Sequence, residues 1–191
     1  LKFDIEADEF TENTEAVRKK EADALMDVTP GKERNSYLNF TQPYLVVSHA
    51  IIARVDGPHF AEEKELADKT LALEVGFANI NYFRQKYPGI RIREYNNTLA
   101  CLEAVQKGDA DAYAGNRAVA SYLISRNLLA NLQIQGKLDR PGDQLAIGVR
   151  KDWEELVNIL DKALDDLTMA DRQSALRHWV GLEQPEDEVK T

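Results

Sequence analysis

One stretch of this 191-residue chain occurs twice. Residues 16–25 read AVRKKEADAL, residues 104–113 read AVQKGDADAY, and matching positions lie 88 residues apart. In each copy a charged helical segment gives way to a short apolar one, which predicts a helix that ends and leads into a strand. The repeat therefore predicts two α/β lobes that are built alike.

Strands and helices alternate through the second copy. Apolar segments such as TLALEV, IRIREY and ADAYAG are separated by helical segments of about ten residues. This order is typical of βαβ units, so we predict an α/β fold with a mostly parallel sheet in each lobe. We assign residues 1–53 and 148–181 to lobe 1, residues 54–147 to lobe 2 and residues 182–191 to a linker, with crossings near residues 50–54 and 144–149.

Two segments of the first lobe raise specific expectations. LKFDIEA alternates like a strand, but its counterpart IRIREY follows a strand and a helix, whereas nothing in the sequence precedes LKFDIEA. We therefore expect an N-terminally truncated first lobe that lacks its opening strand-helix unit. The apolar run YLVVSHAIIARV is shorter than the roughly 20 residues that cross a bilayer, so we predict a long buried strand.

Composition excludes several classes of function. The net charge of −9 argues against nucleic acid or an anionic membrane as the main partner. Cys101 is the sole cysteine and sits among apolar residues, which favours a buried thiol. His49, His59 and His178 are scattered, and no catalytic constellation is visible, so we expect no metal, no cofactor and no enzyme activity in this module.

Candidate ligand contacts follow the predicted strand ends. Ligands of parallel α/β sheets bind beyond the carboxyl ends of the strands, which places Thr29 and Asn116 in a cleft between the lobes. Arg34 follows in the first loop and is suited to a carboxylate, although a solvated arginine paired with Glu33 is an alternative.

Three further residues belong to the same prediction. Phe77 and Ala78 open a helix, whose first N–H groups attract anions, and Phe77 either covers an apolar part of the ligand or packs in the core. Tyr44 follows Pro43 and either closes the cleft wall or simply packs.

Three motifs carry a family resemblance. ADALMDVTPGKERNSYLNFTQPYL, GDADAYAGNRAVASYLI and ALRHWVG resemble, in family order, the signatures of type II periplasmic solute-binding proteins, the Venus-flytrap fold, over about residues 1–181. Gly31 stands where transport members usually have Thr, and Asn116 where they tend to have Asp. Both departures look more like the sensor domains of transmembrane sensor kinases and diguanylate cyclases.

The resemblance implies a periplasmic ligand-sensing module of a membrane signalling protein, with a solute-binding protein of an uptake system as the alternative. Arg34 would hold a carboxylate of a small, amino-acid-like ligand with help from Thr29, and Asn116 would contact its remaining polar group. Downstream membrane-anchored signalling domains would be its partners, and the resemblance is compatible with a homodimer. Some proteins of this fold are dehydratases, but Asp27 alone offers a titratable group near the predicted strand ends.

Overall fold

A computed structural model describes residues 2–180, and side chains up to residue 174. Its helices are α1 (Phe10–Lys19), α2 (Ala78–Lys86), α3 (Thr98–Lys107), α4 (Arg117–Arg126), α5 (Glu154–Asp165) and α6 (Met169–Val180). Its strands are β1 (Ala24–Val28), β2 (Leu38–Phe40), β3 (Leu45–Val47), β4 (His49–Arg54), β5 (Thr70–Glu74), β6 (Arg91–Tyr95), β7 (Ala112–Asn116), β8 (Leu132–Lys137) and β9 (Asp143–Arg150). The predicted linker, residues 182–191, lies outside the described residues.

The strands form two sheets, one for each lobe. The five-stranded sheet has the order β6-β5-β7-β4-β8, and the smaller sheet has the order β1-β9-β2, with β3 also paired to β9. Among the strands named above, parallel pairing is limited to β6-β5-β7, whereas each pair found in the smaller sheet is antiparallel. The prediction of a mostly parallel sheet was therefore wrong for the first lobe, and the sheet of the second lobe is mixed, because β4 pairs antiparallel with both β7 and β8. The strands of the first lobe all pair with β9, which enters from the other lobe in the opposite direction.

Within residues 2–180 the chain crosses between the lobes twice. The first crossing is at Ser48, between β3 in the smaller sheet and β4 in the larger one, and the second joins β8 to β9 through residues 138–142. The segment LVVSHAIIARV is thus two strands in two sheets, not one long strand. The boundaries between the two sheets differ from the lobe boundaries predicted from the sequence. Residues 49–53, assigned to lobe 1, pair within the larger sheet, and residues 143–147, assigned to lobe 2, pair within the smaller one.

The repeated junction has the same backbone geometry in both copies. Lys20 (φ 65°) and Gly108 (φ 84°) end α1 and α3 in the left-handed conformation. The N–H of Lys20 contacts the carbonyls of Ala16 and Val17, and the N–H of Gly108 contacts those of Ala104 and Val105. This is a common way to satisfy the last carbonyls of a helix, and it confirms the helix-to-strand junction predicted from the repeat.

The hydrophobic core is concentrated in the second lobe. One face of its sheet packs against α3 and α4 through Leu102, Val105 and Tyr113, and the other face packs against α2 through Leu73 and Phe83. Alternate residues of a strand point to opposite faces, so one set of strands supplies both layers.

The first lobe has a smaller core, built from Val17, Leu25, Val28 and Leu38. Residues 2–9 form no strand, and Ile5 is 80% exposed, so the strand predicted from the alternation of LKFDIEA was wrong. Alternation alone does not supply a strand partner. Among the described residues, no helix combines the length and apolarity that a bilayer span requires.

Candidate functional site

Arg34 lies where the two lobes meet. It opens a short 3₁₀ helix (Arg34–Ser36) in the loop that follows β1. Its Nη1 donates to the carbonyl of Thr29 at 2.8 Å, and its Nη2 donates across the cleft to the carbonyl of Gly76 at 2.9 Å. The guanidinium thus joins the loop of the first lobe to the end of β5 in the second.

The charge of Arg34 has no acidic partner in the described part of the chain. Arg34 is absent from the ion pairs found there, whereas Glu33, the partner expected from the alternative prediction, pairs with Arg18 at 3.2 Å. Burial lowers the pKa of the Arg34 guanidinium, which nevertheless stays charged at neutral pH. A partly buried cation without a counter-ion favours binding of an anion.

Aromatic rings surround this cation. Arg34 lies 5.2 Å from the ring centre of Phe10, at the start of α1. Phe10 in turn meets Phe77 edge to face, with ring centres 5.0 Å apart. Phe77 is therefore part of the contact between the lobes, and the next residue, Ala78, begins α2. The start of this helix presents N–H groups that favour an anion.

A cavity of about 800 Å³ opens beside these groups. Arg34, Phe77 and Ala78 line it together with α1 and the loop before Arg34. Three of the six predicted contacts therefore share one space. Thr29 takes part through its carbonyl, which holds Arg34, and it is not among the lining residues.

Tyr44 and Asn116 have other contacts. The Tyr44 hydroxyl donates to the Asp27 carboxylate and accepts the Asp27 N–H at 3.1 Å. Burial and this carboxylate raise the pKa of Tyr44. The Asn116 amide oxygen caps α4 by accepting the N–H groups of Ala118 at 3.0 Å and Val119 at 3.3 Å. Neither residue is among those lining the cavity.

Sequence reasoning missed several residues of this interface. Phe10, Gly76 and Glu9 were not candidates, yet each contributes a contact between the lobes. Glu9 and Asn97 are the N-cap residues of α1 and α3, and the Asn97 amide donates to the Glu9 carboxylate at 2.8 Å. They are 88 residues apart, as are the two copies of the repeat. The repeat does not reveal this pair, because residues 9–15 and 97–103 are identical only at Glu15 and Glu103.

The fold and this cleft define a two-lobed Venus-flytrap ligand-binding domain. The family model of bacterial extracellular solute-binding proteins, family 3, matches residues 1–181, and the chain belongs to that family. The family is one of solute-binding proteins.

Named relatives fall into two groups. The virulence sensor protein BvgS of Bordetella bronchiseptica is 29% identical over 177 residues, which cover 93% of this chain and 14% of that protein. The crystal structure of the periplasmic VFT2 domain of BvgS from Bordetella pertussis gives a TM-score of 0.80 at 28% identity, covering 91% of this chain and 74% of that one. The ABC transporter arginine-binding protein 1 of Escherichia coli is 27% identical over 141 residues, 73% of this chain and 56% of that protein.

Proposed function

We propose that this chain is the periplasmic ligand-sensing module of a membrane-anchored signalling protein, and that it binds a small carboxylate between its lobes. The observation that carries the ligand class is Arg34. Its guanidinium lies at the lobe interface, lines the cavity and has no acidic partner among the described residues. A planar guanidinium binds carboxylates with two parallel hydrogen bonds, which makes it suited to this role.

Binding in this cleft would act on the arrangement of the lobes. Arg34 already donates to both lobes, so a ligand carboxylate that takes over these donors would change the contacts that hold the lobes together. A ligand shifts such an equilibrium only as far as its affinities for the two arrangements differ. Residues that contact both lobes, such as Arg34, are therefore where that difference arises.

The position of α6 supports an output toward a following domain. Arg172 of α6 donates to the carbonyl of Tyr44 in the first lobe at 2.7 Å, and to the carbonyl of Leu164 at the end of α5 at 3.0 Å. The same helix lies next to α4 of the second lobe. A helix attached to both lobes changes its packing when they rotate, and α6 leads into the C-terminal end of the chain.

Thermal unfolding against a panel of amino acids and small carboxylates tests the ligand class. A ligand at about 100 times its dissociation constant should stabilise the protein by roughly 2.7 kcal/mol. We expect Arg34→Ala to abolish that stabilisation. Arg18→Ala is the matched control, because Arg18 lines the same cavity but is already paired with Glu33. Equal stabilisation of wild type and Arg34→Ala would contradict the assignment of Arg34.

An uptake function is the second candidate, supported by the similarity to the arginine-binding protein of E. coli. The complete gene separates the two functions. A membrane span and a signalling domain downstream of α6 would support the sensor, whereas a reading frame that stops soon after α6 beside transporter genes would support uptake.

A further inference from the structure

The two places where the chain crosses between the lobes are joined by a pair of side chains, of which His49 is buried and Asp143 is partly buried. His49 is the first residue of β4, directly after the first crossing, and Asp143 is the first residue of β9, directly after the second. The His49 Nε2 lies 3.0 Å from the Asp143 carboxylate, and the two side chains are 5% and 18% exposed. A rotation of one lobe against the other must change backbone angles beside both residues.

The crossings also pack against each other through the backbone. A methyl group added at Gly142, just before Asp143, would lie 2.6 Å from the carbonyl of Val47. That distance is shorter than van der Waals contact, so only glycine fits there without displacement. The two connections are therefore in close contact, and the pair of His49 and Asp143 bridges them.

A polar network holds the second crossing on the second lobe. Arg140 bonds the Asp143 carboxylate, and its guanidinium lies 4.9 Å from the ring centre of Tyr82 on α2. The Tyr82 hydroxyl donates to the buried carboxylate of Glu63 at 2.8 Å. Glu63 also accepts from Lys86 at 2.7 Å. The first crossing joins this network through His49.

The two ring nitrogens of His49 differ in their contacts, since Nε2 faces Asp143 and Nδ1 faces no partner in the described part of the chain. Its Nδ1 is buried and has no hydrogen-bond partner among the described residues. A neutral ring that donates from Nε2 to Asp143 leaves only an acceptor unpaired at Nδ1. A second proton would place a buried N–H without an acceptor there, which costs free energy.

The surrounding charges act in both directions, because the Asp143 carboxylate attracts a protonated ring and Arg140 repels it. Arg140 lies 3.3 Å from the His49 Nε2 and already balances the charge of Asp143. Toward α2, the charges of Glu63 and Lys86 pair with each other. A protonated His49 would therefore be a second positive charge beside one carboxylate.

We propose that this hinge is a pH-sensitive switch, in which a proton taken up by His49 at Nδ1 favours the arrangement with the lobes apart. Histidine is the side chain whose charge changes between about pH 5 and 8. Opening the hinge gives Nδ1 access to water, so the protonated ring is less costly in the open state. One coupled proton changes the ratio of open to closed molecules by at most about tenfold per pH unit. The inference concerns the hinge and holds whichever ligand the cleft binds.

Small-angle X-ray scattering of the unliganded chain between pH 5 and 8 tests this switch. We expect the radius of gyration to rise as the pH falls, with a midpoint that matches the titration of His49 followed by nitrogen NMR of the imidazole. At pH 8 the spectrum should show the neutral ring protonated on Nε2. A His49 that keeps one charge state over this range would overturn the proposal without any variant.

Substitutions locate the effect. His49→Gln should remove the pH dependence of the radius of gyration, and Asp143→Asn should shift its midpoint. His59→Gln is the matched control, because His59 is exposed on the same lobe, and it should behave like the wild type. If His49→Gln does not fold, the midpoint comparison in the wild type decides the question. A pH response that survives in folded His49→Gln, or a wild type without a response, would contradict the switch.

Discussion

The two copies of the repeat place their strands in different surroundings. Strand β1, in the first copy, pairs with β9, and its Met26 is 52% exposed. Strand β7, in the second copy, is buried between β4 and β5. The helices differ in the same way: Val17 is the buried residue of α1, whereas α3 buries Cys101, Leu102, Ala104 and Val105. Yet both helices end in the same cap. The local sequence therefore determines how each helix ends, whereas the surrounding helices and strands determine how many of its side chains are buried.

The strands also differ at one repeat position. Asp27 of β1 has φ 57° and lies in an irregular part of the pairing with β9. Its counterpart, Gly115, lies in the regular pairing of β7 with β4. The first lobe holds a strained residue by the contact with Tyr44, whereas the second lobe uses glycine to make room for the ring of Tyr113.

Gly115→Ala should cause the largest loss of stability. The added methyl group would overlap the buried ring of Tyr113, whose hydroxyl donates to Glu74 at 2.8 Å. Overpacking of this kind costs up to about 3 kcal/mol of unfolding free energy, which urea denaturation measures. Asp27→Gly should stay within about 1 kcal/mol of wild type, because relief of strain offsets the lost contact with Tyr44. Equal losses in both variants would contradict this difference between the strands.

Acid should destabilise the protein partly through Glu63 of the second lobe. Burial raises the pKa of this carboxyl, but hydrogen bonds from Lys86, Tyr82 and the Asp139 N–H outweigh burial and leave the pKa below its usual value. The stabilisation is therefore complete above the unfolded pKa of about 4.3 and is lost as the pH falls through the lower folded value.

Glu63→Gln tests this contribution. The variant should lose about 2 kcal/mol of unfolding free energy at pH 7, because bonds to a charged group are replaced by weaker ones. The difference from wild type should shrink as the pH falls below about 4. A difference that is constant from pH 7 to pH 3 would mean that the charge of Glu63 does not contribute.

Substitutions at the two C-terminal helix caps should give the smallest changes in unfolding free energy. Lys20→Gly should raise the unfolding free energy by about 1 kcal/mol, because glycine adopts a positive φ without steric cost. Gly108→Ala should lower it by a similar amount for the same reason. Thermal unfolding of both variants measures the pair. Changes of the same sign would show that the two caps are not equivalent.

Much of the fold could be predicted from the sequence because it depends on neighbouring residues. The repeat predicted both junctions, and the capping box of Thr168 and Asp171 at the start of α6 is equally local, because its two residues are three positions apart. The break at Ser48 could not be predicted in this way, since no glycine or proline marks it and periodicity does not name a strand's partner. Which strands pair is decided by the tertiary structure. The prediction of mostly parallel sheets failed for the same reason.

The residues of the candidate site also differ in whether the local sequence reveals them. Arg34 could be proposed from the sequence because a cation after a strand end is visible there, and its role as a ligand contact stays a prediction. Gly76 takes part through a carbonyl, which no side-chain pattern reveals, and Phe10 at a helix start reads as an ordinary core residue. For Asn116, capping and ligand binding both favour a polar side chain at the end of a strand, so the pattern does not separate them. Its role as a ligand contact stays a prediction.

The way the chain crosses between the sheets bears on the order of folding. All five strands of the larger sheet come from one continuous segment, residues 49–137. In the smaller sheet, β1 pairs with the distant strand β9, where Val28 lies opposite Ala146. Closing a longer loop costs more entropy and slows folding. During synthesis the second lobe can therefore assemble before the first is complete. Pulsed hydrogen exchange during refolding should protect β5 and β7 before β1 and β9.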